Sequence, residues 1–229
     1  NEPSLLTFTE VTTLFHEFGH ALHAMHANTI YPGLSGASVY WDFVELPSQI
    51  MENWCYEKEA LHQFAEHYQT GEPLPESELQ KIKESANFLE GNQTVRQVSF
   101  AKLDLGWHAI NPHEVNDVKE HEASIFKPMQ LLPDVKDNCM STAFGHIFQG
   151  AYSSGYYSYK WAEVLDADAF AYFKEKGIFN PEVAKKFKEN ILEQGGTEDP
   201  MKLYKQFKGD EPKIDALLER AGLAEQTES

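Results

Sequence analysis

Hydrophobic side chains recur along most of this chain at spacings of three and four residues, which is typical of amphipathic helices. Pro and Gly interrupt the pattern and mark where helices end. The pattern predicts helices over residues 10–27, 43–64, 76–89, 93–107, 114–125, 151–173, 181–192, 200–207 and 213–220. Strand signals are weak, and residues 36–40 are the best candidate. We therefore predict a mainly α fold with few or no strands, folded as a single unit.

Local signals refine four of these helices. Thr9 is the expected N-cap of the first helix. Pro47 should bend or tighten the start of the second helix, because proline lacks a backbone N–H. The third and fourth helices could be continuous through Gly91.

The charge balance narrows the classes of partner. The chain has 229 residues, of which 36 are acidic and 19 are basic, giving a formal net charge of −17. Nucleic acids and anionic membrane surfaces attract basic patches, so we expect neither as a partner. No apolar run approaches the length of a membrane span. Two cysteines are too few for a disulfide scaffold, which favours a reducing, cytoplasmic compartment.

The first predicted helix carries the strongest chemical signal. His16 and His20 are four residues apart, so both imidazoles project from one helical face and can reach one zinc ion. Glu17 is rotated from His16 by about 100° and can hold a water molecule bound to the metal. The alternative is a solvated polar face that happens to be rich in histidine.

A helical wheel predicts which face of this helix is buried. One side is an apolar stripe, and we expect it to pack in the core while the histidines face the opposite side. The stripe consists of Val11, Leu14, Phe15, Phe18, Leu22 and Met25. Gly19 should cost roughly 1 kcal/mol relative to Ala inside a helix, and a close backbone or substrate approach would explain it. His23 and His26 are interpreted either as residues that contact the metal ligands without binding the metal or as merely polar residues.

A catalytic zinc site needs a third protein ligand, and Glu45 is the candidate. It lies just inside the second predicted helix, which can pack beside the first. The alternative is a capping box formed by Asp42 and Glu45. Glu52, seven residues further on, could orient a ligand histidine or could simply be surface charge.

A second candidate region is rich in glycine and aromatic residues. Residues 144–161 read FGHIFQGAYSSGYYSYKW. The tyrosine hydroxyls could donate hydrogen bonds to the oxyanion that forms during hydrolysis. The alternative is a packed aromatic start of a helix.

Three stretches resemble the thimet oligopeptidase family, which includes oligopeptidase A and the bacterial peptidyl-dipeptidases. They are HEFGHALH at residues 16–23, LSG at 34–36 and DFVELPSQ at 42–49. The resemblance implies a helical, zincin-like catalytic region that binds one zinc ion. It also implies that His16, His20 and Glu45 are the ligands and that Glu17 is the general base.

The same resemblance assigns roles in the aromatic region. It implies that Tyr159 stabilises the transition state, and that Tyr152 and His146 position the substrate backbone. Relatives often have a small residue and two glycines where this chain has QGA at residues 149–151, which puts the flexibility of the loop in question. Packing alone can account for Tyr156.

The resemblance spans nearly the whole chain, whereas the proteins of the family are far longer. It therefore implies that residues 1–229 are the C-terminal catalytic region of a longer enzyme. The expected function is zinc-dependent hydrolysis of short peptides. Alternatives are a peptidyl-dipeptidase that releases C-terminal dipeptides and a folded but inactive fragment that lacks part of its cleft. A structural zinc protein conflicts with having only three good ligands.

Overall fold

The structure is a computed structural model that describes residues 4–224. The α-helices are α1 Phe8–His26, α2 Trp41–Val44, α3 Leu46–Glu52, α4 Lys58–Leu61, α5 Glu76–Ala86, α6 Glu90–His108, α7 Val118–Phe126, α8 Gly145–Phe148, α9 Ser158–Lys176, α10 Pro181–Phe187, α11 Pro200–Lys208 and α12 Asp215–Arg220. Short 3-10 helices are Pro32–Leu34, Asn53–Tyr56, Pro112–Glu114, Lys127–Met129 and Met140–Thr142. A π-helical turn, Lys188–Leu192, follows α10 directly.

The prediction of a mainly α fold is confirmed. Within residues 4–224 the only β pairing outside helices is an isolated antiparallel bridge between Glu66 and Pro73. Residues 36–40, the strand candidate, form turns and irregular backbone. None of the helices in this part of the chain is both long and apolar enough to traverse a bilayer.

The prediction of a single folded unit is wrong, because the chain divides into two compact units. The first unit combines the residues up to Phe88 with those from Ala162 onward, and the second unit is Leu89–Trp161. The first unit contains α1 to α5, most of α9, and α10 to α12. The second contains α6 to α8 and the first turn of α9. The prediction that residues 1–229 form one catalytic region concerns function, and it stays a prediction.

Helix α1 begins earlier than the sequence suggested. Its N-cap is Thr7 rather than Thr9. The Glu10 N–H donates to the Thr7 hydroxyl at 3.3 Å, and the Thr7 N–H donates to the Glu10 carboxylate at 2.7 Å. This reciprocal capping box satisfies two backbone donors that would otherwise lack helical partners.

The predicted buried face of α1 is wrong for half of its stripe. Leu14, Phe18 and Met25 are 57%, 51% and 64% exposed. The other three stripe residues are half-buried, whereas Gly19 and His23 are the buried residues of the helix. Helix α1 makes its most extensive contacts with α3. Gly19, on the side of α1 that carries the histidines, lies against the backbone of Pro47 and Ser48. The physical reason is Gly19, whose missing side chain allows the backbone of α3 to come closer than an apolar stripe would allow.

The predicted helix 43–64 is a series of short pieces instead. Helix α2 ends at Val44, and α3 begins at Leu46 with Pro47 in its first turn. Proline has no N–H to continue an earlier helix, so the chain turns at Glu45 and restarts. Extended backbone at Glu57 then separates the 3-10 turn from α4.

A polar network ties the end of α3 to α9 and α12. The Asn53 side-chain amide donates to Asp166 of α9 at 2.8 Å, and Arg220 of α12 donates to the Asn53 side-chain oxygen at 2.8 Å. Arg220 also pairs directly with Asp166. Because Asp166 is almost fully buried, removing Arg220 would leave an uncompensated buried charge.

Two helix boundaries of the second unit bear on the predictions, and only the start of α9 was predicted wrongly. Leu89 adopts a positive φ of 57°, which ends the run before α6, so α5 and α6 are not continuous through Gly91. Helix α9 begins at Ser158 rather than near residue 151. Residues 151–157 form turns, with Ser154 at a φ of 59°.

Candidate metal centre and aromatic cluster

Three side chains of the first unit converge on one point. The Nε2 atom of His16 lies 3.4 Å from Oε2 of Glu45, and Nε2 of His20 lies 3.3 Å from the same oxygen. The three side chains each offer one ligand atom within 4.8 Å of the others. The four-residue spacing on α1 aligns the imidazoles, and the turn between α2 and α3 brings the carboxylate to them.

These distances suit a zinc ion. Two ligand atoms that are each about 2.0–2.1 Å from zinc and separated by a tetrahedral angle lie about 3.3 Å apart. The two nitrogen–oxygen separations of 3.4 and 3.3 Å match that value. Two imidazole nitrogens and one carboxylate oxygen are also a donor set that catalytic zinc sites use. The residues therefore fit the ion that the resemblance implies.

Glu52 fixes the other nitrogen of the His16 ring. Its Oε1 atom lies 2.7 Å from Nδ1 of His16, so the ring donates from Nδ1 and keeps the lone pair of Nε2 for a metal. The hydrogen bond to Glu45, and secondarily the hydrogen bond to Glu52, raises the pKa of His16 to about 10. A metal ion at Nε2 competes with that proton. The interpretation of Glu52 as a ligand-orienting residue has this contact in its favour.

Glu45 is buried and is held by the first turn of α3, which follows it. The Ser48 hydroxyl lies 2.9 Å from Oε2 and 2.9 Å from the main-chain oxygen of Glu45. The capping box with Asp42 does not form, because α2 begins at Trp41 and its N-cap is Tyr40. The carboxylate therefore points to the histidines rather than to the start of a helix.

The remaining polar residues of α1 differ in environment. Glu17 is exposed and follows His16 directly, on the flank of the ligand pair. His23 is fully buried, and neither of its ring nitrogens has a hydrogen-bond partner. Burial is the main cause that lowers the pKa of His23 to about 4, and the nearby charge of His20 adds a smaller effect in the same direction. His23 is thus neither a surface polar residue nor a member of the three-residue cluster, while His26 is half-buried.

The second unit assembles the aromatic residues into one cluster. The rings of Tyr152 and Tyr159 stack with centroids 4.8 Å apart, and His146 stacks on Tyr152 at 4.7 Å. Nε2 of His146 lies 2.9 Å from the hydroxyl oxygen of Tyr159. The structure therefore brings together the three residues that the resemblance selected in this region. Their roles toward substrate stay predictions.

Tyr156 has a packing role. Its ring lies against Phe100 and Phe144, with centroid separations of 6.0 and 5.2 Å. Its hydroxyl donates to Gln97 at 3.2 Å. Burial raises the pKa of this phenol. These contacts agree with the interpretation that Tyr156 has a packing role only.

Sequence reasoning missed two residues that hold the others in place. One is Ser48, for which the sequence offers no signal beyond its distance of three residues from Glu45. The other is Asp104, fully buried in α6 and bonded to the backbone N–H groups of Ser154 and Tyr156. A signal for Asp104 did exist, because an Asp and His108 four residues apart form a pair on one helical face.

Comparison with known proteins gives one family match. The family described as "Peptidase family M3" matches residues 1–223. Oligopeptidase A of Escherichia coli (strain K12) is 48% identical over 224 residues, which is 97% of this chain and 33% of that protein.

More distant relatives cover the same part of this chain. The probable cytosolic oligopeptidase A of Arabidopsis thaliana is 42% identical, over 97% of this chain and 33% of that protein. The dipeptidyl carboxypeptidase of Escherichia coli (strain K12) is 40% identical over the same shares. The chain thus spans about a third of the length of these curated relatives.

Proposed function

Because the chain belongs to peptidase family M3, we propose that it carries the zinc site of an oligopeptidase, an enzyme that hydrolyses short peptides. The relatives at 48% and 42% identity carry the name oligopeptidase A, which supports this substrate class. The proposal covers this chain's part of the reaction, since the relatives are about three times as long.

The convergence of His16, His20 and Glu45 is the observation that carries the proposal. A buried carboxylate beside two imidazoles is expensive unless a proton or a metal ion balances the charge. The separations of 3.3 and 3.4 Å favour a tetrahedral ion. Three protein ligands leave a fourth position open, as catalysis requires, whereas a structural site is closed by four ligands.

The protein residues then have separate tasks. When bound, zinc supplies a Lewis acid that polarises the scissile carbonyl and lowers the pKa of the attacking water. Glu17, exposed on the flank of the ligands, takes the proton from that water and delivers it to the leaving amine. Tyr159, with His146 hydrogen-bonded to its hydroxyl and Tyr152 stacked on its ring, donates to the oxyanion.

A second candidate function is the release of C-terminal dipeptides. One relative at 40% identity is named dipeptidyl carboxypeptidase. The higher identity to oligopeptidase A, 48%, favours internal cleavage of short peptides. Mass spectrometry of the products from a decapeptide separates the two, because stepwise loss of C-terminal dipeptides supports the second function and internal cuts support the first.

The decisive experiment combines metal analysis with peptide hydrolysis by the purified chain and its Glu17→Gln variant. We expect one zinc per chain in both proteins, with hydrolysis lost in the variant only. Absence of zinc from the wild type, or full activity in the variant, would contradict the proposal. Zinc without hydrolysis in the wild type would support the alternative of a folded but inactive fragment.

A further inference from the structure

One face of α6 contacts the segment that carries the aromatic cluster. Gln97, Phe100, Asp104 and His108 are three or four residues apart in turn, so their side chains share a helical face. Gln97 accepts from the Tyr156 hydroxyl, and Phe100 packs edge-on against the Tyr156 ring. The ring of His108 lies 5.6 Å from that of Phe148.

Asp104 is the polar centre of this face. It is completely inaccessible to solvent. Its Oδ1 accepts from the Ser154 N–H at 2.9 Å, and its Oδ2 accepts from the Tyr156 N–H at 2.9 Å. Nδ1 of His108 hydrogen-bonds to the main-chain oxygen of Asp104 at 2.8 Å and also lies 2.8 Å from Oδ1. Both oxygens of a buried carboxylate are therefore used, and both backbone donors belong to one turn of the glycine-rich segment.

That turn sets the directions of the two stacked tyrosines. Gly155 donates its N–H to the Tyr152 carbonyl at 2.8 Å, and Ser158 donates to the Gly155 carbonyl at 3.0 Å. Ser154, between Tyr152 and Gly155, has a φ of 59°, which disfavours any residue with a side chain. A strained conformation persists only where its surroundings hold it, and the Asp104 carboxylate is the group bonded to it.

We infer that Asp104 is a positioning residue for the proposed peptide hydrolysis: it fixes the Ser154–Tyr156 turn and thereby the placement of Tyr152 and Tyr159. The catalytic part of this inference rests on the proposed function, whereas the structural part does not. The substitution Asp104→Asn keeps the shape of the side chain but replaces one oxygen by an N–H₂ group. One of the two backbone donors then faces another donor and loses its partner.

A matched control lies in the same unit. The Glu122 carboxylate is also buried and also binds two backbone N–H groups, those of Met140 at 2.9 Å and Ser141 at 2.6 Å. These residues lie outside the segment that carries the tyrosines. Glu122→Gln therefore removes an equivalent buried acceptor without touching the Ser154–Tyr156 turn.

Hydrogen exchange measured residue by residue tests the structural part. In Asp104→Asn we expect the amide of Ser154 or Tyr156 to exchange about tenfold faster or more, and in Glu122→Gln only those of Met140 and Ser141. Equal loosening of the tyrosine turn in both variants, or unchanged exchange in Asp104→Asn, would overturn the inference. If Asp104→Asn does not fold, hydrogen exchange in the wild type is the test. Exchange of the Ser154 and Tyr156 amides at the rate of unprotected amides would refute the structural part of the inference.

Steady-state hydrolysis with parallel zinc analysis tests the catalytic part. We expect kcat of Asp104→Asn to fall about tenfold or more, with KM changed less than about threefold and with full zinc content, while Glu122→Gln keeps its kcat. Faster exchange with an unchanged kcat would overturn the positioning role. A wild type without hydrolytic activity would instead count against the proposed function, and the exchange data would still decide whether Asp104 holds the turn.

Discussion

Gly19 of α1 lies directly against the main chain of Pro47 in α3. A β-carbon at position 19 would overlap the Pro47 carbonyl oxygen and lie 2.6 Å from Cα of Ser48. The two helices can therefore approach this closely only with glycine at that point. Because His16 and His20 flank Gly19 and Glu45 precedes Pro47, this contact sets the distance between the ligands.

Replacing Gly19 by Ala should separate α1 from α3. Helix propensity alone would favour Ala by about 1 kcal/mol. The overlap with backbone atoms outweighs this gain, so we expect a net loss of about 2 kcal/mol or more in the free energy of unfolding, together with weaker zinc binding. Urea denaturation and zinc titration measure the two effects. Gly33→Ala is the control, since a β-carbon there meets no atom within 4 Å; equal stability of the two variants would refute the argument.

Removing the Glu52 carboxylate should weaken zinc binding. Glu52→Ala leaves the His16 ring without its Nδ1 partner, and we expect the zinc affinity to fall about 10- to 100-fold. Glu52→Gln keeps an acceptor and should lose less. Competition with a chelator of known affinity measures both. Glu59→Ala, which removes an exposed acid of the same unit, should change nothing. Identical zinc affinities for Glu52→Ala and Glu59→Ala would show that Glu52 contributes only surface charge.

Removing the Tyr159 hydroxyl should slow the proposed reaction. In Tyr159→Phe we expect kcat to fall about 10²- to 10³-fold, because the developing oxyanion loses a donor, while zinc content stays the same. Tyr68→Phe removes an exposed phenol and serves as the control. Peptide hydrolysis and metal analysis of both variants provide the measurement, and an active Tyr159→Phe would remove Tyr159 from the mechanism.

His23 should make the first unit sensitive to acid. The folded pKa of about 4 lies below the ordinary value of 6.5, so the unfolded chain takes up the proton first as the pH falls. The stabilisation is complete above about pH 6.5 and is lost toward pH 4, which amounts to about 2 kcal/mol at pH 5. His23→Leu removes this contribution without leaving a buried donor or acceptor. Urea titrations in the presence of a chelator, at pH 7 and pH 5, measure the difference.

The expected outcome is a smaller decrease in stability between pH 7 and pH 5 in His23→Leu than in the wild type. His62→Gln, which changes an exposed histidine, should retain the full decrease. A His23→Leu variant with the same pH dependence as the wild type would show that His23 is not responsible.

The helical class and the pairing of His16 with His20 followed from local periodicity. Spacing left Glu45 open between a ligand and a helix cap, and the resemblance selected it as a ligand; the start of α2 at Trp41 is against the cap. The buried face of α1 was missed for a definite reason. A helical wheel ranks faces by hydrophobicity, whereas the contact between α1 and α3 depends on the absence of a side chain at Gly19.

Long-range polar contacts were beyond prediction for a different reason. Asp104 is 50 residues from Ser154 in the chain, and its partners are backbone groups whose placement no side-chain pattern reports. The same holds for Ser48, whose hydroxyl acts on Glu45 only because a turn places the two side chains together. By contrast, His146, Tyr152 and Tyr159 were selected through the resemblance, and the fold of the second unit places them side by side.

The discontinuity of the first unit has a consequence for biosynthesis. The residues up to Phe88 include all three proposed ligands, yet Asn53 at the end of α3 bonds to Asp166 and Arg220. A ribosome adds about 5–20 residues per second, so α1 emerges on the order of ten seconds before Arg220 does. The polar network that joins the end of α3 to α9 and α12 can therefore form only after the whole second unit has been translated.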